Sequence, residues 1–418
     1  MFSFVRTFLV NPCHLKAIII FIATSCLFNS TIVLAENKQT STRVTSSVEL
    51  FIETPTELGL VSLGKNISAN STDLCAVAEK TKNYLTTHTE DDFAVHQGKI
   101  FTSSSLPKVT LSKVKATLDF ICKTHQEDIQ EHGKSRLTDS DFLTQHFDFI
   151  RWLPDKKTAN KIADKSTNKV KTRLLKNIPA DKLFLTKYYT KLLTASAVKT
   201  EKYSHALYAL PHDEQGISLE QAEKLTNSLN RFKYTRQQVI AGALLKNNLA
   251  KPLVWLTESA LHDVLLQGTG VLDVDGKRRY FNVHRNNGIA YNYSLGKTEQ
   301  SRYWYFIETP EIMGYGKNQA SKIAIKPQVT FAGNVADIGL GKLIMVSYQA
   351  SSHTNGGHVK TTNTYSRLGI LADQGGAFDH NLFQLDFLVG SYQGWSDYHQ
   401  ANKHLPDYAR AWFMLLKE

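Results

Sequence analysis

Two aspartates near the end of the chain stand where acid–base chemistry could occur. Asp373 comes just before a glycine pair, and Asp386 lies between the large apolar residues Leu385 and Phe387. The apolar neighbours predict a strand that sets the Asp386 carboxylate into a buried surface. Burial disfavours a charged carboxylate, so such a group is either paired or has a raised pKa. A raised pKa is what a general acid working near neutral pH requires.

Both aspartates also have a structural interpretation. An aspartate beside an apolar strand often forms a turn or caps a helix, and a glycine pair alone is a weak signal. Motifs elsewhere in the chain favour the catalytic interpretation.

The first 35 residues have the layout of a secretory signal. Arg6 and Lys16 precede an apolar run that is shorter than a membrane span, and Val33-Leu34-Ala35 offers small residues for cleavage after Ala35. We therefore expect an exported protein. Ala23-Thr24-Ser25-Cys26 is a poor version of a lipidation site, and it leaves a lipid anchor at Cys26 open.

The charge of the chain bears on its partners. The signal contains two bases and no acid, so its removal lowers the net charge from +11 to +9. A basic exported protein favours anionic partners such as peptidoglycan stems, lipid head groups or extracellular nucleic acid, with a merely soluble basic surface as the default. The lysines of 156–176 predict a solvated helix face, and we expect no nucleic-acid partner.

The cysteines and histidines bear on cofactors. After cleavage only Cys75 and Cys122 remain, which predicts either a disulfide or two buried thiols. His353 and His358 flank an Asn-Gly-Gly loop without the spacing of a zinc site. We expect no metal and no cofactor.

The chain changes character along its length. Residues 36–70 are rich in Ser, Thr and Asn, which predicts an extended or weakly ordered lead-in, whereas 71–126 has a helical pattern. Leu183–Leu193 predicts a strand, and from Val264 onward the pattern is strongly β-like. Helices leading into many short strands predict an α+β, β-rich fold with a small closed β unit at the C-terminal end.

Several short motifs follow one another in a recognisable order. They are Thr186–Tyr189, Tyr203–Pro211, Arg236–Leu244, Leu266–Gly270 and Asn287–Gly296. Three more segments complete the series: the turn at Asn334, the D-x-G-G-A turn Asp373–Ala377, and the strand around Asp386.

Over roughly residues 180–418, this series resembles the membrane-bound lytic transglycosylase A family, whose chains end in a three-aspartate domain. Two positions depart from the family pattern: Lys187 stands in place of a glycine, and Asn334 in place of the first aspartate. The loop before Asp386 is also longer, but Asp379 within it lies in a polar run that predicts a solvated turn. Asp386 therefore remains the match to the family's last aspartate.

The resemblance implies a double-psi β-barrel with an inserted smaller β domain and an N-terminal helical region. The expected divisions are a signal peptide (1–35), a lead-in (36–70), helices with the first barrel strand (71–196), the insert (197–322) and the rest of the barrel (323–418). A groove between barrel and insert would hold a glycan strand. The expected protein is periplasmic and monomeric, with outer-membrane association left open.

The implied activity is lytic cleavage of the MurNAc-β-1,4-GlcNAc bond of peptidoglycan, leaving a 1,6-anhydro end. The family's catalytic acid carries over to Asp386, which would act first as acid and then as base, while Asp373 shapes the site. The other expected contacts with the glycan are Tyr188, Tyr189, Gln267, Gly268 and Gly376. Two alternatives stay open: a non-catalytic peptidoglycan-binding protein on the same fold, and a barrel hydrolase that leaves a reducing end.

Several of these residues also have ordinary structural interpretations. Strand residues alternate between faces, so only one of Tyr188 and Tyr189 is expected to face the glycan. Gln267 and Gly268 suit a structural turn. Trp304 and Trp395 are predicted to be core residues rather than sugar platforms.

Overall fold

The computed structural model describes residues 50–54, 63–64, 66–88, 95–102, 109–131, 133–292, 294–353, 359–375, 378–379 and 381–418. The predicted signal peptide, Cys26, His358 and Gly376 lie outside these residues. No helix in the described ranges is both long enough and apolar enough to cross a membrane.

Fourteen strands lie in the described part of the chain. They are β1 (Phe51–Thr54), β2 (Asn66–Ser68), β3 (Phe147–Trp152), β4 (Leu183–Ala195), β5 (His205–Pro211), β6 (Ala250–Leu256), β7 (Thr269–Val274), β8 (Lys277–Asn286), β9 (Trp304–Thr309), β10 (Thr330–Ala332), β11 (Leu343–His353), β12 (Val359–Asp373), β13 (Gln384–Tyr392) and β14 (Tyr408–Leu416).

Eleven α-helices accompany these strands in the same ranges. They are α1 (Ser71–Thr87), α2 (Leu111–Glu131), α3 (Ser140–His146), α4 (Lys156–Lys165), α5 (Lys169–Lys176), α6 (Leu219–Lys224), α7 (Arg236–Ile240), α8 (Ala243–Lys246), α9 (Glu258–Gln267), α10 (Val335–Ile338) and α11 (Trp395–Asn402). Together with the strands they confirm the predicted α+β, β-rich class.

Six strands close into a barrel in the order β4-β13-β10-β12-β11-β14. The ring closes where β14 pairs with the start of β4, at Tyr408 with Phe184 and Ala409 with Leu183. β4 runs parallel to β13, and β10 runs parallel to β12, while the other four pairings are antiparallel. This barrel is the closed β unit that the sequence predicts.

The barrel is extended at two places. β3 adds to β14, and β1 adds to β3, so two short strands from the N-terminal half enlarge the sheet. At the far end of β4, residues Leu192–Ala195 pair with β7, and β8 and β9 follow. A second hydrophobic core forms around these strands from buried residues between Ala195 and Phe306. The exact division of the chain into domains stays a prediction.

The N-terminal helices pack as a pair beside the barrel. α1 and α2 are joined by a disulfide between Cys75 and Cys122, which settles the two alternatives that the sequence left open. On α2 the buried residues Val114, Leu118 and Ile121 form the predicted apolar face, because they recur at helical spacing.

The structure corrects some predicted elements. The helical pattern over 71–126 is two separate helices, and α2 continues to Glu131. The β-like region begins at Thr269 rather than Val264, because Val264 and Leu265 are buried residues of α9. Two short strands, β1 and β2, also lie within the predicted lead-in.

Candidate active site

Four neighbouring barrel strands bring the candidate residues to one level of the sheet. Ala332 on β10 pairs with Asp373 on one side and with Asp386 on the other, and Asp386 pairs in turn with Thr186 on β4. Directly paired residues project to the same face of a sheet. The two aspartates therefore share a face and lie two strands apart, about 10 Å between Cα atoms.

Asp386 is partly buried on the strand β13. Its neighbours Leu385 and Phe387 are fully buried and, because side chains alternate along a strand, point to the opposite face. There the Phe387 ring packs on Phe331, with 5.1 Å between centroids. The barrel core thus fixes the backbone of Asp386, while its side chain lies on the opposite face of the strand from Leu385 and Phe387, with the Oδ1 atom buried.

Asp373 is held in the barrel wall at the end of β12. Only 4% of its surface is exposed. One carboxylate oxygen accepts a hydrogen bond from the Tyr188 hydroxyl at 2.9 Å, and the other accepts one from the Gln374 backbone N–H at 2.9 Å. Tyr188 is itself buried, so this carboxylate ties β12 to β4.

Tyr398 on α11 lies close to Asp386. Burial raises the pKa of Tyr398 to about 12, and the negative charge of Asp386 adds to the rise. The phenol is therefore protonated at neutral pH. The Tyr189 ring stacks on Tyr398 with 4.5 Å between centroids, and burial also raises the pKa of Tyr189. Tyr188 and Tyr189 thus point in different directions, as strand alternation predicts.

Trp395, at the start of α11, is an exposed indole in this neighbourhood. It is 43% exposed, which shows that the prediction of a core residue was wrong. Its ring lies 5.3 Å from that of Tyr398 and stacks on His399 at 5.7 Å. A large ring held by its neighbours but open on one side can stack on a sugar. Trp304, by contrast, is partly buried against the second core, as predicted.

The two departures from the family pattern have structural explanations. The Lys187 ammonium donates to the carbonyl of Pro406 at 3.0 Å and pairs with Asp407 at 3.2 Å. Asn334 is 1% exposed and caps α10, because its side-chain oxygen accepts the Asp337 N–H at 3.1 Å. Each side chain therefore has a structural contact of its own.

Gln267 and Gly268 lie at the end of α9, where Gln267 connects this helix to β4 and Gly268 terminates the helix. The Gln267 side-chain oxygen accepts the backbone N–H of Lys191 on β4 at 2.9 Å. Gly268 ends α9 in the left-handed region with φ 73°, where its N–H donates to the Val264 carbonyl at 2.8 Å. Contact of either residue with a glycan stays a prediction. Asp379 is exposed, in agreement with the predicted solvated turn.

Two motif residues of the insert, Arg236 and Asn287, stabilise loops of the insert through hydrogen bonds to backbone groups. The buried Arg236 guanidinium donates to the carbonyls of Arg302 at 2.7 Å and Lys297 at 2.6 Å. Asn287, 1% exposed, donates to the Tyr234 carbonyl at 2.9 Å and accepts the Tyr303 N–H at 2.9 Å. These side chains stabilise the insert and take no part in the site around Asp386.

One group of potential metal ligands occurs in the described residues. It consists of Cys75, Glu79 and Cys122. The disulfide uses both sulfur atoms, so thiolate ligation is not available in this form of the protein.

Comparison with known proteins points to one family. Residues 184–303 match the family described as "MltA specific insert domain". No curated protein sequence matches the chain.

Solved structures of similar proteins include three from different bacteria. A membrane-bound lytic murein transglycosylase from Agrobacterium tumefaciens is 15% identical, with 88% of this chain and 97% of that chain covered and a TM-score of 0.49. MltA from E. coli with bound chitohexaose is 15% identical, with coverages of 88% and 94% and a TM-score of 0.48. MltA from Neisseria gonorrhoeae is 14% identical, with coverages of 88% and 91% and a TM-score of 0.48.

Proposed function

We propose that the chain, whose residues 184–303 match the MltA-specific insert family, belongs to the membrane-bound lytic transglycosylase A family and is a peptidoglycan lytic transglycosylase. It cleaves the MurNAc-β-1,4-GlcNAc bond and leaves a 1,6-anhydro-MurNAc end. Asp386 is the catalytic residue.

The observation that supports this proposal is the unequal setting of the two aspartates. Asp386 is partly buried, beside the protonated phenol of Tyr398. Asp373 is enclosed, and both of its oxygens accept hydrogen bonds from within the protein. A site in which only one of the two aspartates is partly exposed suits a reaction that uses the same group twice.

The reaction balances with a single carboxyl group. Protonated Asp386 gives its proton to the glycosidic oxygen as the bond from that oxygen to C1 of MurNAc breaks. The 6-hydroxyl of the same MurNAc then forms a bond to C1 and returns its proton to the Asp386 carboxylate. The nucleophile belongs to the substrate, so its effective concentration is high and no water enters the reaction.

The surrounding residues have two kinds of role in this proposal. Tyr189, Tyr398 and Trp395 form an aromatic wall beside Asp386 that contacts the sugar rings. Tyr188 and Asp373 are positioning residues, since they fix β4 and β12 relative to each other. Gln267, Gly268 and Gly376 stay in the proposal as glycan contacts.

The two alternatives from the sequence have less support. A hydrolase needs a second carboxylate to activate water or attack C1. Asp373, the candidate for that role, is enclosed and already hydrogen-bonded. The non-catalytic interpretation rested on Lys187 and Asn334, and each of these side chains has a structural contact of its own.

We also propose that the protein works in the periplasm as a monomer, with possible lipid attachment at Cys26. The Cys75–Cys122 disulfide supports this location, because such bonds persist in oxidising compartments. The mass of the mature N-terminus tests it. A chain beginning at Glu36 supports cleavage after Ala35, a lipidated Cys26 supports an anchor, and an intact Met1 contradicts export by this signal.

Digestion of purified sacculi tests the activity itself. Mass spectrometry of the soluble products distinguishes the three functions. Anhydro-muropeptides support the transglycosylase, reducing ends indicate the hydrolase, and retention on sacculi without released products indicates the binding protein.

A further inference from the structure

A strongly basic helical hairpin precedes the first barrel strand. It consists of α4, α5 and their connection, residues 156–176, and is called the basic hairpin below. The segment contains eight Lys or Arg residues and one acid, Asp164, so it carries a charge of +7 of the chain's +11. This concentration of charge has no part in the reaction at Asp386.

The basic hairpin is held rigidly by a small core of its own. Its buried residues pack against Phe184 and Phe383, the residues at the starts of β4 and β13. Asp155 caps α4 by accepting the Thr158 N–H at 3.0 Å, and Asn168 caps α5. The buried apolar residues on its inner side are Ala159, Ala163 and Leu175, and Ile178, just after the hairpin, joins the same cluster.

The cations lie on the outer side. Seven of the eight are exposed: Lys157, Lys161, Lys165, Lys169, Lys171, Arg173 and Lys176. Lys176 pairs with Asp164 at 3.0 Å, with both side chains more than half exposed, so this pair contributes little. Like charges held on two short helices repel one another, and binding an anionic chain relieves that repulsion.

The basic hairpin lies close to the candidate acid. Phe383 stands three residues before Asp386 on the chain, and Phe184 two residues before its partner Thr186. At about 3.3 Å per strand residue, Phe383, against which the hairpin packs, is about 10 Å from Asp386 along the chain. The Tyr408 hydroxyl also donates to the Leu174 carbonyl at 2.7 Å, which fixes α5 to the barrel.

We infer that the basic hairpin binds the acidic stem peptides of the glycan strand that occupies the Asp386 site. This inference rests on the proposed function, and it makes peptide-bearing glycan the preferred substrate over bare glycan. The free carboxylates of the stem peptides complement the row of ammonium groups. A glycan bound at Asp386 brings those carboxylates toward the hairpin, since the hairpin packs against Phe184 and Phe383, which lie near the starts of β4 and β13, and Asp386 lies on β13.

A lipid surface is less well matched to this face. Helices that bind membranes combine basic residues with several exposed apolar side chains. Among the described residues of the hairpin, one large apolar side chain is exposed, Val170.

The test compares two charge variants of the purified protein. The hairpin variant carries Lys161→Gln, Lys165→Gln, Lys169→Gln and Lys171→Gln. The control variant removes four exposed lysines elsewhere, with Lys80→Gln, Lys246→Gln, Lys251→Gln and Lys277→Gln. Each variant loses the same charge. Their retention on intact sacculi is measured by cosedimentation on ice, and their cleavage rates are measured on soluble strands with stem peptides and on strands stripped by an amidase.

We expect the hairpin variant to bind intact sacculi about tenfold more weakly than the control variant, because four exposed ion pairs with the stem peptides are lost. Its KM for peptide-bearing strands should rise by the same factor. On stripped strands both variants should behave alike. Equal binding of the two variants to intact sacculi would overturn the inference. Binding to vesicles of phosphatidylglycerol is measured for both variants as well. If the hairpin variant binds sacculi as well as the control variant does but no longer binds the vesicles, the partner is a lipid surface and the inference is wrong.

Failure of the hairpin inference can be distinguished from failure of the proposed function. If the wild-type protein releases no anhydro products, the proposed activity fails, while cosedimentation still decides whether the hairpin binds peptide-bearing wall.

Discussion

Asp373 and Asp386 occupy matched positions on either side of Ala332, yet their carboxylates differ in burial and in hydrogen bonding. At the end of β12, the Asp373 carboxylate accepts two hydrogen bonds and is almost fully buried. Near the start of β13, the Asp386 carboxylate remains partly buried beside an aromatic wall that continues to an exposed Trp395. The first setting suits a group that holds strands together, and the second suits a group that exchanges protons with a bound molecule.

This difference shows that two acids on one face of a sheet need not form a catalytic pair. Their Cα atoms are about 10 Å apart, a separation from which two carboxyl groups could act together on a sugar. In the proposed mechanism Asp373 does not take that role, because its carboxylate is almost fully buried and accepts hydrogen bonds from Tyr188 and Gln374. The environment of each group, rather than the spacing, decides its function.

The largest expected effect comes from Asp386→Asn. Loss of the group that we propose donates and accepts the proton should lower kcat on peptidoglycan about a thousandfold, as for other general acids. The exposed Asp379→Asn is the matched control and should keep the wild-type rate. Release of anhydro-muropeptides, measured by chromatography, gives both values. A comparable loss of kcat in the Asp379 variant would indicate that Asp379, in the loop before β13, is the catalytic residue instead.

Removing the bond to Asp373 should instead reduce stability. Tyr188→Phe removes one hydrogen-bond donor from the buried Asp373 carboxylate, and the loss of a bond to a charged group costs about 1.5–3 kcal/mol. Urea unfolding followed by tryptophan fluorescence measures the change. Activity per folded molecule should fall less than in the Asp386 variant. A thousandfold loss of kcat with unchanged stability would show that Asp373 and Tyr188 join the chemistry.

Trp395→Ala tests the open end of the aromatic wall. Loss of one stacking surface, worth about 0.5–1.5 kcal/mol, should raise KM for soluble glycan strands up to about tenfold and leave kcat unchanged. Trp395→Phe retains a ring and should recover most of the affinity. Unchanged KM in the alanine variant would remove Trp395 from the binding surface.

The smallest effect is expected for Lys187→Ala. The Lys187 ammonium donates a hydrogen bond to the Pro406 carbonyl and forms an ion pair with the half-exposed Asp407. Its loss should therefore lower the free energy of unfolding by less than about 1 kcal/mol. Activity on sacculi should stay within about twofold, since the side chain points away from Asp386. A large gain in activity would mean that Lys187 obstructs the groove.

The sequence predicted the local elements of the site better than their surroundings. The strand around Asp386 and the long β4 were predictable because apolar runs bounded by turns define strands. Helices within residues 71–126 were also predictable, because apolar residues recur there at helical spacing. These features depend on neighbours within a few residues.

Closure of the barrel could not be derived from such patterns. β4 pairs with β13 about two hundred residues later, as the Thr186 hydroxyl bond to Leu385 illustrates. The same limit explains Trp395, because its exposure depends on how α11 packs against β4. The helix α9 was missed at its end because Val264 and Leu265 suit a buried strand as well as a buried helix face.

The source of the oxygen in the product tests the central claim most directly. Sacculi are digested by the wild-type protein in water enriched in heavy oxygen, and the new MurNAc ends are analysed by mass spectrometry. With Asp386 acting alone and the 6-hydroxyl as nucleophile, the ends are anhydro and carry no label. Heavy oxygen at C1 of a reducing MurNAc would show that water is the nucleophile, and would contradict the single-carboxylate mechanism.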